Sequence, residues 1–428
     1  MKKFMTIWMG ELISSIGSGM TAFAIGIYVY QMTKSVALVS VVTLLAYLPT
    51  ILLSPVGGVL ADRYDRRLLM ILGDLLSGLG LLYIFVCMET GHIGILPICI
   101  GVTISSVFIS LLEPAYKATI SDLVPATDYA KASGMMQMAG ASRYLISPAI
   151  AGILLAVSDI RTILVIDMLT IVVTVTATMS VRRKIEEVKP DTENFNFYRK
   201  FGQGIKSVVQ DRGVLALVVL MGLVCFFVAF IQTLMLPMIL AFADTRSLGI
   251  MESVSAVGML AGSILIGMMN IQKNYTRILM AALACCGLFM AFTGMTTNVV
   301  WIVVTSFLFF AALPFVNTCA DVLIRSVLPN EVQGRAWGMI GILTQSGYIA
   351  AYAVCGFLAD KVFNPMLATE GILAGSIGRV IGTGEGRGIG LMLILAGLGM
   401  AMMAVIFGKN QNIRNMERIS DEKITVME

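Results

Sequence analysis

Two glutamates and one arginine, Glu11, Glu113 and Arg143, stand inside long apolar runs of a 428-residue chain that is 57% apolar and only 13% charged. At the centre of a membrane span an ionisable side chain costs about 2.5–3.5 kcal/mol on insertion scales, so each is a candidate for chemistry. Glu11 lies about 10 Å into its run at 1.5 Å per residue, and Ser14, Ser15, Ser18 and Ala22 follow it at helical spacing. Glu113 closes a second polar stripe with Thr103, Ser106, Ser110 and Lys117, about 12 Å from the far end of its run. A poorly solvated carboxylate in such a stripe can take up and release a proton, and the competing reading is a permanent ion pair, Glu113 with Lys117 or Arg143. Arg143 needs an anionic partner or a wet cavity; Glu11 or Glu113 is the expected partner, and an anionic substrate group is the other possibility. Asp321 and Arg325, four residues apart, read as a gating pair. Asp74, Asp167 and Glu252 fall near the ends of their runs, where contact with solvent is expected. The one histidine, His92, lies between runs, which leaves any proton coupling to carboxylates.

The elements that must hold these residues are helices. Apolar runs of roughly 20–30 residues recur along the chain, each long enough for a hydrocarbon core of about 30 Å, and none alternates as a barrel strand would. The runs cover 4–31, 36–62, 68–88, 94–121, 130–157, 161–181, 214–243, 247–271, 276–296, 298–328, 333–360 and 388–408. An all-α membrane protein with twelve transmembrane helices in two pseudo-symmetric sets of six is therefore expected. Its parts are an N-terminal half (1–181), a cytoplasmic linker (182–213) with a surface helix near 197–209, a C-terminal half (214–408) and a polar, poorly ordered cytoplasmic tail (409–428). With the N-terminus cytoplasmic, only Lys34, Arg161, Arg246, Lys361, Arg379 and Arg387 of the 30 Lys and Arg residues fall outside. Arg143 lies in the membrane and all the others face the cytoplasm, as the positive-inside rule requires.

The halves repeat. The segment 120–135, ISDLVPATDYAKASGM, aligns without gaps on 324–339, IRSVLPNEVQGRAWGM, and the register continues through Tyr144/Tyr348 and Gly152/Gly356. Two six-helix halves in one orientation are the plan of a transporter that rocks around a central site. Between the second and third runs stands GGVLADRYDRR (57–67), five charges in six residues, with Gly58, Leu60, Ala61, Asp62, Arg63, Arg66 and Arg67 in the order Gly-x-Leu-Ala-Asp-Arg-x-x-Arg-Arg. On these residues and the twelve spans the chain resembles the major facilitator superfamily over essentially its whole length. ELISSIGSGMTAFAIGIYVYQMTKS and PAYKATISDLVP are most similar to the bacterial drug exporter branch that includes macrolide efflux proteins. The resemblance implies a major facilitator fold whose first, fourth, seventh and tenth spans line the cavity, placing Glu11 and Glu113 on its wall. It also implies a conformational latch built from Gly58, Asp62, Arg63, Arg66 and Arg67 at the inner face. RYLISPAIAG (143–152) keeps Pro148 and Gly152 of the family's antiporter motif, with Arg143, Ser147 and Ala151 where glycines are expected.

Several classes are set aside. The seven cysteines all lie in apolar runs and read as small buried hydrophobes. No metal-ligand cluster, Walker sequence or catalytic triad spacing occurs, so neither an enzyme nor a cofactor is expected. The glycine-rich 375–390, GSIGRVIGTGEGRGIG, lacks the strand context and Gly-Lys-Ser/Thr ending of a phosphate loop. A net charge of +4 is taken up by loop orientation, and no nucleic-acid partner is implied. Thirty methionines, with Tyr28, Phe226, Phe230, Trp337, Tyr348 and Tyr352, suit a site that re-packs around varied apolar molecules. The expected function is proton-coupled export of hydrophobic or amphipathic compounds by a monomer among membrane lipids. The alternatives are an exporter or facilitator of one metabolite, siderophore or lipid, and a non-transporting receptor or scaffold on the same fold.

Overall fold

Residues 2–124, 129–182, 209–269, 273–328 and 330–418 are described by a computed structural model, and among them every regular element is helical. Twelve helices are long and apolar enough to cross a membrane. The first six spans are α1 (Lys2–Thr33), α2 (Val36–Arg63), α3 (Arg66–Glu89), α4 (Ile95–Leu123), the pair α5 (Tyr129–Leu145) and α6 (Ser147–Val157), and α7 (Ile160–Arg182). The others are α8 (Arg212–Leu240), α9 (Thr245–Met268), α10 (Tyr275–Gly294), α11 (Val299–Val327), α12 (Asn330–Leu358) and, after the short α13 (Gly378–Ile381), α14 (Arg387–Gly408). Side-chain caps set several starts: Ser35 accepts from the Leu38 N–H, Asp65 from Arg67, Asp211 from Gly213 and Val214, and Asn298 from Trp301.

The fifth span is two helices because of Pro148. Proline has no N–H to give and its ring crowds the carbonyl four residues back, so the helix breaks at Ile146 and restarts. The eleventh span runs on from α12 through a π-helical turn, Ala359–Phe363, to Met366. In the segment that follows, Gly382, Gly384 and Gly386 have φ of 92°, 103° and 78°. These glycines are there for left-handed turns that L side chains avoid.

The chain forms two compact units: one comprises the described part of 1–194 with Asp244–Ser253, the other the described part of 195–243 with Val254 onward. In the first, α1 packs against α5, α6 and α7 and touches α2 and α4, while α3 lies on α4 and α7. Without water to drive apolar surfaces together, helices in lipid associate through close backbone approach at small residues. Gly80 lies on the carbonyl of Gly101 between α3 and α4, and Gly57 on that of Ser110 between α2 and α4. In the second unit α8 packs on α12 and α14, and α10 lies between α11 and α14 with Gly287 against Gly397.

The tail departs from expectation at its start. Residues 411–418 are helical, with Ile413 and Met416 buried. Ile413, Met416 and Glu417 share one face by their spacing: Met416 packs on Gly213, and Glu417 accepts the Thr276 N–H at 3.2 Å, capping α10 where its own N-cap, Asn274, makes no side-chain bond. The linker residues 183–208, with nearly all of the expected surface helix at 197–209, and the tail beyond 418 lie outside the described residues.

Candidate functional site

The first unit buries a string of ionisable side chains between its helices. Glu11 of α1 is 6% exposed, Asp74 of α3 3% and Asp167 of α7 1%. Asp74 acts electrostatically on Glu11, Asp167 acts in turn on Asp74, and Arg143 of α5 acts on Asp167. Local sequence explains how they meet. Gly17 leaves room for the Asp167 carboxylate, since a Cβ there would lie 2.7 Å from Oδ1. Two turns further along α7, Thr174 donates its hydroxyl to the Gly10 carbonyl at 2.9 Å, fixing α7 on α1. Thr170 donates to Asp167 Oδ1 at 3.3 Å, and Thr21 of α1 flanks the same carboxylate. The break at Ile146 serves this arrangement too: Ser147 donates to the Ile16 carbonyl at 2.9 Å, and Gly19 sits against Ser147 and the Arg143 carbonyl.

The expectation that Asp74 and Asp167 contact solvent is therefore corrected: their positions near span ends gave depth, and packing by neighbouring helices buried them. Arg143 acts electrostatically on Asp167, and its pairing with Glu11 or Glu113 stays an expectation. Glu11 is enclosed, with Oε1 buried and without a hydrogen-bond partner, and Tyr116 of α4 is near enough to feel its charge. Glu113 differs. Its side chain is 59% exposed on the unit's surface and accepts from Lys117 at 2.6 Å, so the two glutamates share depth but not environment.

Where α2 leads into α3, a Cβ added at Gly58 would meet nothing within 4 Å and Arg63 is exposed. Arg66 donates to the carbonyls of Ala61 (3.2 Å) and Ala118 (2.9 Å), tying α2 and α3 to α4. Arg67 is buried, and its backbone N–H is capped by Asp65, which also pairs with Arg182 at 2.7 Å. The side chain of Asp62 lies outside the described residues, so the latch reading stays an expectation. Pro148 and Gly152 make a contact face: Gly249 packs on the Pro148 carbonyl, Gly152 on that of Thr245, and Ser253 accepts the Ala149 N–H at 3.1 Å. Asp321 and Arg325 pair at 3.1 Å, about half exposed.

In the second unit Phe226 and Phe230 stack at 4.7 Å on α8, and Tyr348 and Tyr352 lie 6.1 Å apart on α12, where Gly347 packs on the Gly222 carbonyl. The side chain of Trp337 lies outside the described residues. Among the described residues no three His, Cys, Asp or Glu side chains converge as metal ligands.

Comparison with known proteins fits this architecture. A family model described as Major Facilitator Superfamily matches residues 7–352. Macrolide efflux protein A of Streptococcus pyogenes is 27% identical over 373 residues, 84% of this chain and 90% of that protein. Macrolide efflux protein A of Enterococcus faecalis is 27% identical over 71% of this chain and 96% of its own length. An uncharacterized MFS-type transporter of Bacillus subtilis, YfiS, is 24% identical over 84% of the chain and 88% of its own length. Among solved structures the nucleoside transporter NupG has a TM-score of 0.72 at 12% identity, covering 96% of this chain and 100% of that one. A bacterial homologue of the iron transporter ferroportin in an inward-facing state has a TM-score of 0.71 at 12% identity, covering 96% of this chain and 99% of its own. At such identities the structures speak for the fold alone.

Proposed function

Because the chain belongs to the major facilitator superfamily and is a multi-pass membrane transport protein, we propose that it exports hydrophobic or amphipathic compounds of the macrolide class in exchange for protons. The observation that carries the reading is the enclosed Glu11, without a hydrogen-bond partner at Oε1, in a chain similar to macrolide efflux proteins over most of its length. Glu11 is the carboxylate that takes up a proton from outside and releases it inside. Glu113, held by Lys117 at the unit's surface, is assigned the lesser role of a charge that shifts partner during the cycle. The chain is placed in a bacterial cell membrane with both termini cytoplasmic, where the basic inner loops belong. Gly58, Asp62, Arg63, Arg66 and Arg67 act as the inner latch, Pro148 and Gly152 as the antiporter-like contact face, and Asp321 with Arg325 as a gating pair.

The magnitudes suffice. One proton crossing 100 mV releases about 2.3 kcal/mol, which at 1.4 kcal/mol per tenfold sustains a substrate gradient of about 40-fold per proton exchanged. The large unbranched methionine population and the paired aromatics of α8 and α12 would let the site re-pack around bulky apolar molecules. The test is erythromycin-driven proton flux in proteoliposomes containing the full chain, with Glu11→Gln beside the parent. Flux in the parent that falls to background in Glu11→Gln is expected. Absence of flux with erythromycin, where a single metabolite or siderophore drives it, would replace the drug-export reading with the narrower one.

A further inference from the structure

The exchange reading needs one carboxylate, yet the first unit buries three, and two of these are unused by it. Glu11, Asp74 and Asp167 come from three helices and are all at least nine-tenths buried. Glu11 Oε1 and Asp74 Oδ2 are both sealed from solvent without a hydrogen-bond partner. Each stands one turn from a residue of a shared packed cluster, Ile7 on α1 and Met70 on α3, and two buried carboxylates so placed, with no donor on those oxygens, are relieved by a proton held between them.

Among the described residues, four cations of the surrounding helices act on or pair with other carboxylates. Arg143 of α5 acts on Asp167. Lys117 of α4 holds Glu113, Arg182 of α7 holds Asp65, and Arg161 of α7 holds Glu89 and Asp159. Arg67 stands seven residues from Asp74 on α3, about 10 Å along the axis. Glu11 also acts on Tyr116 of α4, whose buried hydroxyl has no hydrogen-bond partner and brings no charge. The described part of α2 adds Tyr47 and the exposed Arg63, and α6 has no titratable residue. A chelated metal does not fit, because no three acidic side chains converge on one point among the described residues.

Depth gives the arrangement a direction. Glu11 and Asp74 lie about 12–14 Å from the inner ends of α1 and α3, whereas Asp167 lies about 10 Å from the outer end of α7. We propose that Glu11 and Asp74 form one proton-binding site, and that Asp167, compensated by Arg143, links this site to the outer side of the membrane. Uptake moves a proton from the outer solution, by way of the Asp167 carboxylate, to form one O–H bond on the pair; release breaks that bond and the proton passes to the inner solution. No electrons move, and the four groups change from a net charge of −1 to −2 on release. Asp74 and Asp167 are thus working residues of the transport cycle, on spans three and six. This inference rests on the proton-exchange reading, but its site can be tested without any substrate.

The experiment is infrared spectroscopy of the full chain in phosphatidylethanolamine and phosphatidylglycerol vesicles, titrated without drug in sodium and then in choline buffers. A carboxylic-acid C=O band that persists at neutral pH in both buffers is expected in the parent. It should be lost in Glu11→Gln and in Asp74→Asn, and be restored with a shifted frequency in Asp74→Glu, a variant that also controls for misfolding. Asp167→Asn should keep the band and slow its response to an external pH jump. A band that survives unchanged in both Glu11→Gln and Asp74→Asn overturns the site, as does a parent that lacks the band or shows it only without sodium. Erythromycin-driven flux separates the two readings. The expected bands without flux refute drug exchange and leave the site standing, whereas flux without them refutes the shared site alone.

Discussion

The two units are built on one repeat and differ in what they bury. The first encloses Glu11, Asp74, Asp167 and Arg67 at 6% exposure or less, whereas in the second the only charged side chain so enclosed, among the described residues, is Arg387. What they share is at the surface. Glu113 and Lys117 on α4 pair at 2.6 Å, Asp321 and Arg325 on α11 at 3.1 Å, and both pairs are four residues apart and about half exposed. Exposed pairs of this kind contribute between zero and about 1 kcal/mol in water and fit a common scaffold. Buried carboxylates are costly to keep, so their confinement to one unit marks a division of labour. The first unit is equipped to handle charge, and the second, with paired aromatics and close glycine contacts, to handle bulk.

The comparison can be broken at the two arginines. Arg143→Leu removes the cation beside the buried Asp167 and should destabilise the first unit by about 3 kcal/mol, read as the thermal unfolding midpoint of purified protein. Adding Asp167→Asn should recover most of that loss, because it removes the stranded charge. In the second unit Arg387 donates to the Gly294 carbonyl at 2.9 Å, and no carboxylate among the described residues pairs with it. Replacing an unpaired buried cation by an apolar side chain relieves its desolvation, so Arg387→Met should change stability by less than about 1 kcal/mol. Equal costs for Arg143→Leu and Arg387→Met would remove the distinction between the units.

Smaller effects test what the units have in common. Asp244 accepts the Ser247 N–H at 2.9 Å, and bonds from the Ser247 hydroxyl and N–H hold its carboxyl below the usual carboxylate range. Asp211 caps α8 in the same way, through Gly213 and Val214. Asp244→Ala and Asp211→Ala should each cost about 0.5–1 kcal/mol. The Asp244 contribution is present above the carboxyl's unfolded value and is lost as pH falls through its lowered folded value. Unfolding midpoints of Asp244→Ala and parent should therefore converge on acidification.

Much of the architecture is legible in residue order. Runs such as 276–296 and 388–408 have the length and hydropathy of spans. Glu11 stands out because it falls well inside its run, in register with Ser14, Ser15 and Ser18. Ile413, Met416 and Glu417 are not legible in the sequence because two turns of helix in a polar tail give too weak a periodic signal. Asp74 and Asp167 were passed over for another reason. Counting from a helix end gives the depth of a side chain, and neither residue looked deep enough to be sealed.

The sequence by itself determined the number of spans, the repeat and the family, because hydrophobic length and local spacing act within one helix. Which side of each helix faces another protein helix depends on azimuth, and so on packing between segments far apart in the chain. Only the tertiary structure decided that Gly17 would make room for Asp167, that Arg143 would act on Asp167, and that Asp74 would act on Glu11. The physical reason is that a carboxylate's environment is set by the groups enclosing it, and these come from α1, α3, α4, α5 and α7 together.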